Sequence, residues 1–146
     1  MTKPFQIDSR LVNDTVKLGE SQLNLLLLFN DKRYPWCLLV PKVANATEIF
    51  QLSAAQQQQL IIESSQLSKT FAETFAPDKI NIGALGNIVS QLHLHHIARY
   101  KNDPAWPGPV WGHSPAIAYT ADELTTIKEK LLNSSLQQTF NFSNNL

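Results

Sequence analysis

Cysteine is nearly missing from this chain: Cys37 stands alone among 146 residues, so no disulfide can form within it. It lies in the apolar run Trp36-Cys37-Leu38-Leu39-Val40, where a small buried side chain is expected. An excess of either charge is missing too, since Lys plus Arg and Asp plus Glu both number 12. A chain that holds DNA or RNA by the phosphates normally carries a basic surplus. A nucleic-acid polymer is therefore not the expected partner; a small anion, gripped locally, is. Long hydrophobic runs are lacking as well. The longest, Leu25 to Phe29, is too short to cross a bilayer, and the opening residues Met1 to Gln6 hold no apolar stretch of signal-peptide length. The cytoplasm is the expected compartment, and no membrane partner is expected. No repeat or Gly/Ser-rich linker divides the chain, so residues 1–146 read as a single domain. Hydrophobic residues make up 43%, enough to fill a core at this length.

Four segments read as strands: Leu23 to Phe29, Trp36 to Val40, Lys79 to Ile82 and Ile88 to Tyr100. The polar turn Asn30-Asp31-Lys32-Arg33 joins the first two into a hairpin. Two helices carry start signals. Ser53 with Gln56, and Thr120 with Glu123, fit the capping box, in which two side chains satisfy free backbone N–H groups. Leu60, Leu67 and Phe71 continue the first helix until Pro77 stops it; Leu124, Ile127 and Leu131 continue the second. A shorter helix is expected near Ser9 to Thr15. The polar tail from Phe140 to Leu146 is expected to fray or to pack on a partner. This order implies an α+β fold with a mostly antiparallel sheet and two main helices.

Three of the four histidines fall in Gln91-Leu92-His93-Leu94-His95-His96-Ile97. On a strand, side chains alternate faces, which groups Val89, Gln91, His93 and His95 against Leu92, Leu94 and His96. The leucines call for a core, so the other row is expected to face a cleft, with His96 buried and hydrogen-bonded. Upstream, Gly83 and Gly86 in Asn81-Ile82-Gly83-Ala84-Leu85-Gly86-Asn87 allow a turn that brings backbone N–H groups near an anion. Together these features suggest a phosphate site. A metal is the rival reading, because imidazole is a common ligand. No Cys, Asp or Glu stands beside the window to complete a ligand set, and no metal is assigned. Trp106 and Trp111, in the stiff stretch Pro104 to Pro109, are expected to cover core or a subunit interface. His113 is expected to be solvated.

The histidine segment, led by Gly86-Asn87-Ile88-Val89-Ser90, resembles the histidine triad family of nucleotide hydrolases and transferases. The run Leu26 to Asn30 with Cys37 to Lys42 resembles that family's first hairpin. Arg99 and Asp103 to Gly112 resemble a bacterial branch. The likeness spans roughly residues 20 to 112. It implies a homodimer with joined sheets, and a reaction without a cofactor in which His93 attacks the α-phosphorus of a nucleotide. It implies that His95 and Gln91 donate to the phosphate oxygens, that Asn30 and Asn81 contact the ribose, and that Asn87 lies nearer the phosphate. The substrate would be a dinucleoside polyphosphate or a nucleoside phosphoramidate. Transfer to another phosphate, or nucleotide binding without turnover, are the alternatives. The sequence departs from the pattern at Gln91, in place of the first histidine, at Ile88, where a Ser or Thr is common, and at Trp36, where some members have histidine. Glutamine orients but cannot exchange a proton near neutral pH.

Overall fold

The computed structural model describes residues 3–143. Its centre is a six-stranded antiparallel sheet in the order β4-β5-β3-β2-β1-β6. The elements run α1 (Ser9–Asp14), β1 (Thr15–Glu20), β2 (Asn24–Phe29), β3 (Trp36–Pro41), α2 (Ala54–Phe75), β4 (Lys79–Gly83), β5 (Leu94–Arg99), α3 (Ala121–Leu132) and β6 (Asn141–Phe142). The α+β class, the β2–β3 hairpin and the two capped helices agree with the sequence reading. Both capping boxes are formed, Ser53 with Gln56 and Thr120 with Glu123.

The leucine-rich strands β2 and β3 are covered on both faces. Leu26, Leu28, Cys37 and Leu39 pack with Leu60, Leu67, Phe71, Ile127 and Leu131 from α2 and α3. Leu25, Leu27, Trp36, Leu38 and Val40 face the other way, toward Leu11, Ile97, Ala105 and Val110. A period of two along an unbroken apolar run thus feeds two cores, and each buried Leu contributes about 1.5–3 kcal/mol. Burial also pushes the Cys37 thiol well above its ordinary range, so it stays protonated.

Three differences from expectation matter. β1 gives little apolar signal, because only Leu18 of Thr15–Glu20 sits deep in the core. β6 also forms: Phe140 is buried and Asn141–Phe142 pair with Glu20 and Gly19. Gly19 is required there, since a side chain would strike the Asn141 backbone. The tail is therefore anchored over 140–142; residues 144–146 lie outside the described region, as do Met1 and Thr2. Finally, β5 begins at Leu94 rather than Ile88. Residues 88–93 form a bent approach to the strand, which removes Gln91 from the strand row assigned to it. Among the described residues, no helix is long and apolar enough to cross a membrane.

Candidate active site

On the face of the sheet away from α2 and α3, a cleft of about 480 Å³ opens over Trp36, Leu38, His93 and His95. That size suits a small ligand. Its walls come from three places: Arg10, Leu11 and Asp14 of α1; Leu85 to Val89 ahead of β5; and Val110, Trp111, Gly112 and Ser114. Phe29, Asp31 and Arg33 border it at the β2–β3 turn.

The two histidines are held in defined tautomers. His93 Nδ1 lies 2.6 Å from the Gln91 carbonyl oxygen. A carbonyl only accepts, so Nδ1 carries the hydrogen and Nε2 keeps the lone pair. His95 is the reverse case. The Trp36 indole N–H donates to His95 Nδ1 at 2.9 Å, which leaves Nε2–H as the donor. Burial, reinforced by His93 and His96, pushes the His95 imidazole down to about 3. It is therefore neutral at ordinary pH. The His93 and His95 rings meet edge to face at 4.9 Å, and Trp111 stacks edgewise on His95 at 5.3 Å. The nitrogen that bears the lone pair in the neutral form of His93 thus stands beside an N–H donor on His95.

The turn that precedes β5 fits the reading of its glycines only in part. Gly86 has φ +67°, a conformation that favours glycine, and Asn87 beside it lines the cleft. Gly83 serves packing instead: a Cβ there would lie 2.9 Å from the Trp111 ring. Trp111 is accordingly a cleft wall rather than a core plug. Trp106 sits farther back, where the Arg99 guanidinium lies 5.7 Å from its ring centre.

Gln91, Asn30 and Asn81 do not border this cleft. Gln91 Oε1 accepts from the Asp8 N–H at 2.8 Å, and its Nε2 donates to the Gln6 carbonyl at 2.9 Å. Asn30 Oδ1 accepts from the Tyr119 N–H at 3.0 Å, which ties the segment before α3 to the hairpin turn. Asn81 Oδ1 accepts from Arg99 Nη1 at 2.8 Å. Arg99 is itself buried; it pairs with Asp103 at 2.8 Å and donates to the Gly108 carbonyl, so it shapes the proline-rich loop that delivers Trp111.

Asp31 and Arg33 were not singled out from sequence, yet both border the cleft. Burial opposes the charge on Asp31, but hydrogen bonds from Arg33 outweigh it and hold the carboxyl below its usual range. Arg33 Nη2 lies 2.8 Å from Asp31 Oδ2, and its guanidinium also donates to Ser114. The available signal was the turn itself, where Asp31 follows Asn30 directly. His96 behaves as expected: Nδ1–H donates to the Leu94 carbonyl at 3.1 Å and Nε2 meets the Ser64 hydroxyl at 2.7 Å. His113 contacts Ser114 at 2.9 Å in an exposed loop. Among the described residues, no group of three or more His, Cys, Asp or Glu is placed to hold a metal ion.

The HIT domain family model matches residues 10–102. A histidine triad protein from Marinobacter aquaeolei is 53% identical over 88% of this chain and 94% of its own, with a TM-score of 0.87. One from Bradyrhizobium japonicum is 43% identical over 88% and 96%, with a TM-score of 0.86. One from Sinorhizobium meliloti is 41% identical over 88% and 95%, with a TM-score of 0.85. No curated protein matches. The family match covers well over half of the chain, and it includes the paired histidines and the hairpin beneath them: the chain belongs to the histidine triad family.

Proposed function

We propose that this protein hydrolyses nucleotides at the α-phosphorus through a nucleotidyl intermediate on His93. The observation that carries the reading is the pair of opposed tautomers, with Nε2 of His93 a lone pair and Nε2 of His95 a donor. Neutral imidazole is a competent nucleophile near pH 7. As the His93 Nε2–P bond forms, the bond from phosphorus to the leaving group breaks and that group takes the electron pair. The ring becomes cationic, and the Gln91 carbonyl on Nδ1–H stabilises the charge. His95 Nε2–H donates to a phosphate oxygen, where charge builds in the transition state. Water then attacks phosphorus; as the N–P bond breaks, its electron pair returns to His93 Nε2, water loses a proton to solvent, and a nucleoside monophosphate is released.

Asn87 is assigned to the phosphate side of the cleft, where it sits beside Gly86. Asp31, with its carboxylate held ionised by Arg33, is assigned to the ribose hydroxyls. This replaces the ribose assignment of Asn30 and Asn81, which do not border the cleft. The apolar walls Phe29, Leu38, Val110 and Trp111 suit a base. At the leaving-group side stands Ile88, exposed and without a proton to give. A leaving group that departs as an anion, as from a phosphoanhydride, fits that side better than an amine. No metal is called for in this chemistry.

A homodimer is proposed with it. β4 is an edge strand of the sheet and carries the exposed Ile82, a pairing surface that isolated proteins tend to blunt.

The test is to mix the protein with dinucleoside polyphosphates and nucleoside phosphoramidates, quench in alkali, and search for a histidine-linked nucleotidyl adduct by mass spectrometry. The adduct is expected on His93, and His93→Ala is expected to abolish both adduct and turnover. Tight binding with neither would make this a nucleotide-binding module. Passage of the nucleotidyl group to added phosphate, with no free monophosphate in its absence, would make it a transferase.

A further inference from the structure

We propose that the Gln91 side chain and the N-terminal segment Gln6–Asp8 form a clamp that positions the nucleophilic imidazole of His93. The hydrogen bonds have a recognisable form. The Gln91 carboxamide donates to the carbonyl of residue 6 and accepts from the N–H of residue 8. In a parallel sheet, a residue donates to position i−1 and accepts from position i+1 of its neighbour. The donor–acceptor edge of the side chain therefore acts as the N–H and C=O of one residue in an added strand, centred on Ile7. The partners lie 83 and 85 positions away in sequence.

Glutamine suits this task and histidine does not. A carboxamide presents its acceptor and its donors from one planar end. The two ring nitrogens of imidazole point in divergent directions and cannot reach both backbone groups at once. The same residue faces the site with its other polar group, because its main-chain carbonyl accepts the His93 Nδ1–H at 2.6 Å. Residue 91 lies in the bent approach to β5, outside any ladder. The peptide of the carbonyl that orients His93 is held on one side by the Leu92 N–H, which donates to the Ala46 carbonyl at 2.9 Å, and the two side-chain bonds of Gln91 hold it on the other.

The segment at the other end of the clamp is itself anchored beneath the cleft. Phe5 and Ile7 pack against the cluster that contains Trp36, Leu38 and Leu11. Asp8 then caps α1 by accepting from the Arg10 N–H at 2.8 Å, and α1 contributes Arg10, Leu11 and Asp14 to the cleft wall. Gln91 joins the wall that starts the chain to the turn that ends in the nucleophile. It is a positioning residue, acting through its main chain on His93.

The proposal rests on the reading of His93 as nucleophile, so the first measurement needs no turnover. In ¹⁵N-labelled protein, the ring-nitrogen shifts of His93 report its tautomer. Wild type is expected to hold Nδ1–H, while Gln91→Leu is expected to show a mixture of both forms. Asp8→Pro removes the clamped N–H at a residue whose φ of −60° proline adopts freely. Asp8→Ala also removes the cap but keeps that N–H. Asp8→Pro is expected to perturb the His93 tautomer clearly more than Asp8→Ala does. The second measurement is kinetic. Gln91→Leu and Asp8→Pro are each expected to lower kcat about tenfold with little change in KM, as loss of alignment does. The double variant is expected to be no worse than the weaker single one, because both cut the same link. Gln91→Glu, which keeps the acceptor and loses the donor, is expected to fall between. An unchanged His93 tautomer in folded Gln91→Leu, confirmed by circular dichroism, would overturn the clamp. So would equal effects of Asp8→Pro and Asp8→Ala, or additive losses in the double variant. Absence of turnover in wild type would instead count against the hydrolase reading, and the tautomer measurement would still decide the clamp.

Discussion

His95 and His96 are neighbours on one strand, and the fold sends them to opposite surroundings. His95 faces the cleft, with Nδ1 taken by Trp36 and Nε2 left for a ligand. His96 faces α2, with one nitrogen on Ser64 and the other on the Leu94 carbonyl. Burial pushes both imidazoles down, His95 to about 3 and His96 to about 4. Charge state therefore does not distinguish them, since both are neutral at pH 7. The difference is a spare hydrogen-bonding valence on one ring and none on the other. A histidine is a candidate for chemistry when the fold leaves it something to offer, and the alternation of a strand decides which neighbour receives that position.

The sharpest test of this contrast is to remove each ring in turn. His95→Ala is expected to lower kcat about a hundredfold, the scale for losing one transition-state donor, with the melting temperature only slightly reduced. His96→Ala is expected to do the opposite: kcat within a few-fold of wild type, stability lower by about 2–3 kcal/mol. Steady-state kinetics and denaturant melts on both variants would break the comparison if the two losses fell on the same quantity.

Acid is expected to strike both residues together. Their folded-state pKa values are depressed, so the unfolded chain takes up protons first as pH falls. The stability they contribute is complete above about pH 6.5 and is lost progressively toward pH 3–4. At pH 5 each accounts for a loss of about 2 kcal/mol, or roughly 10 °C in melting temperature for the pair. The lowered carboxyls of Asp31 and Asp103 act in the same direction, but only below about pH 4. Calorimetry at pH 7 and pH 5 reads this directly, and an unchanged melting point would show that the rings are not desolvated.

Two smaller effects would refine the contrast. Ser64→Ala leaves the buried Nε2 of His96 without its partner and is expected to cost about 1–3 kcal/mol of stability while sparing turnover. Trp36→Phe keeps an aromatic ring stacked on Phe29 but removes the N–H that fixes His95. It is expected to lower kcat about fivefold to tenfold and to release Nδ1–H in the His95 ring, readable by ¹⁵N shifts.

Much of the scaffold was legible because its signals are local. Ser53 and Thr120 announce helix starts within four residues, and Pro77 announces an end. β1 escaped detection because it is held by pairing on both sides rather than by its own apolar pattern. In the site, His93, His95 and Asn87 line the cleft, as the histidine segment and the turn before it suggested, whereas Asn30, Asn81 and Gln91 do not. Asn30, Asn81 and Gln91 sit where a family likeness directs attention, yet each is engaged by a group 18 to 89 positions away.

By itself, the amino-acid order determined which rings could share a face. Alternation along Leu94 to Arg99 is a property of the extended backbone, and no distant contact is needed to put His95 and His96 on opposite sides. Only tertiary structure decided which polar atoms stayed free. A side-chain amide bonds whatever the packed chain brings within about 3 Å, and folding brought Gln6, Asp8, Arg99 and Tyr119 to the amides while leaving Nε2 of His93 and His95 uncommitted.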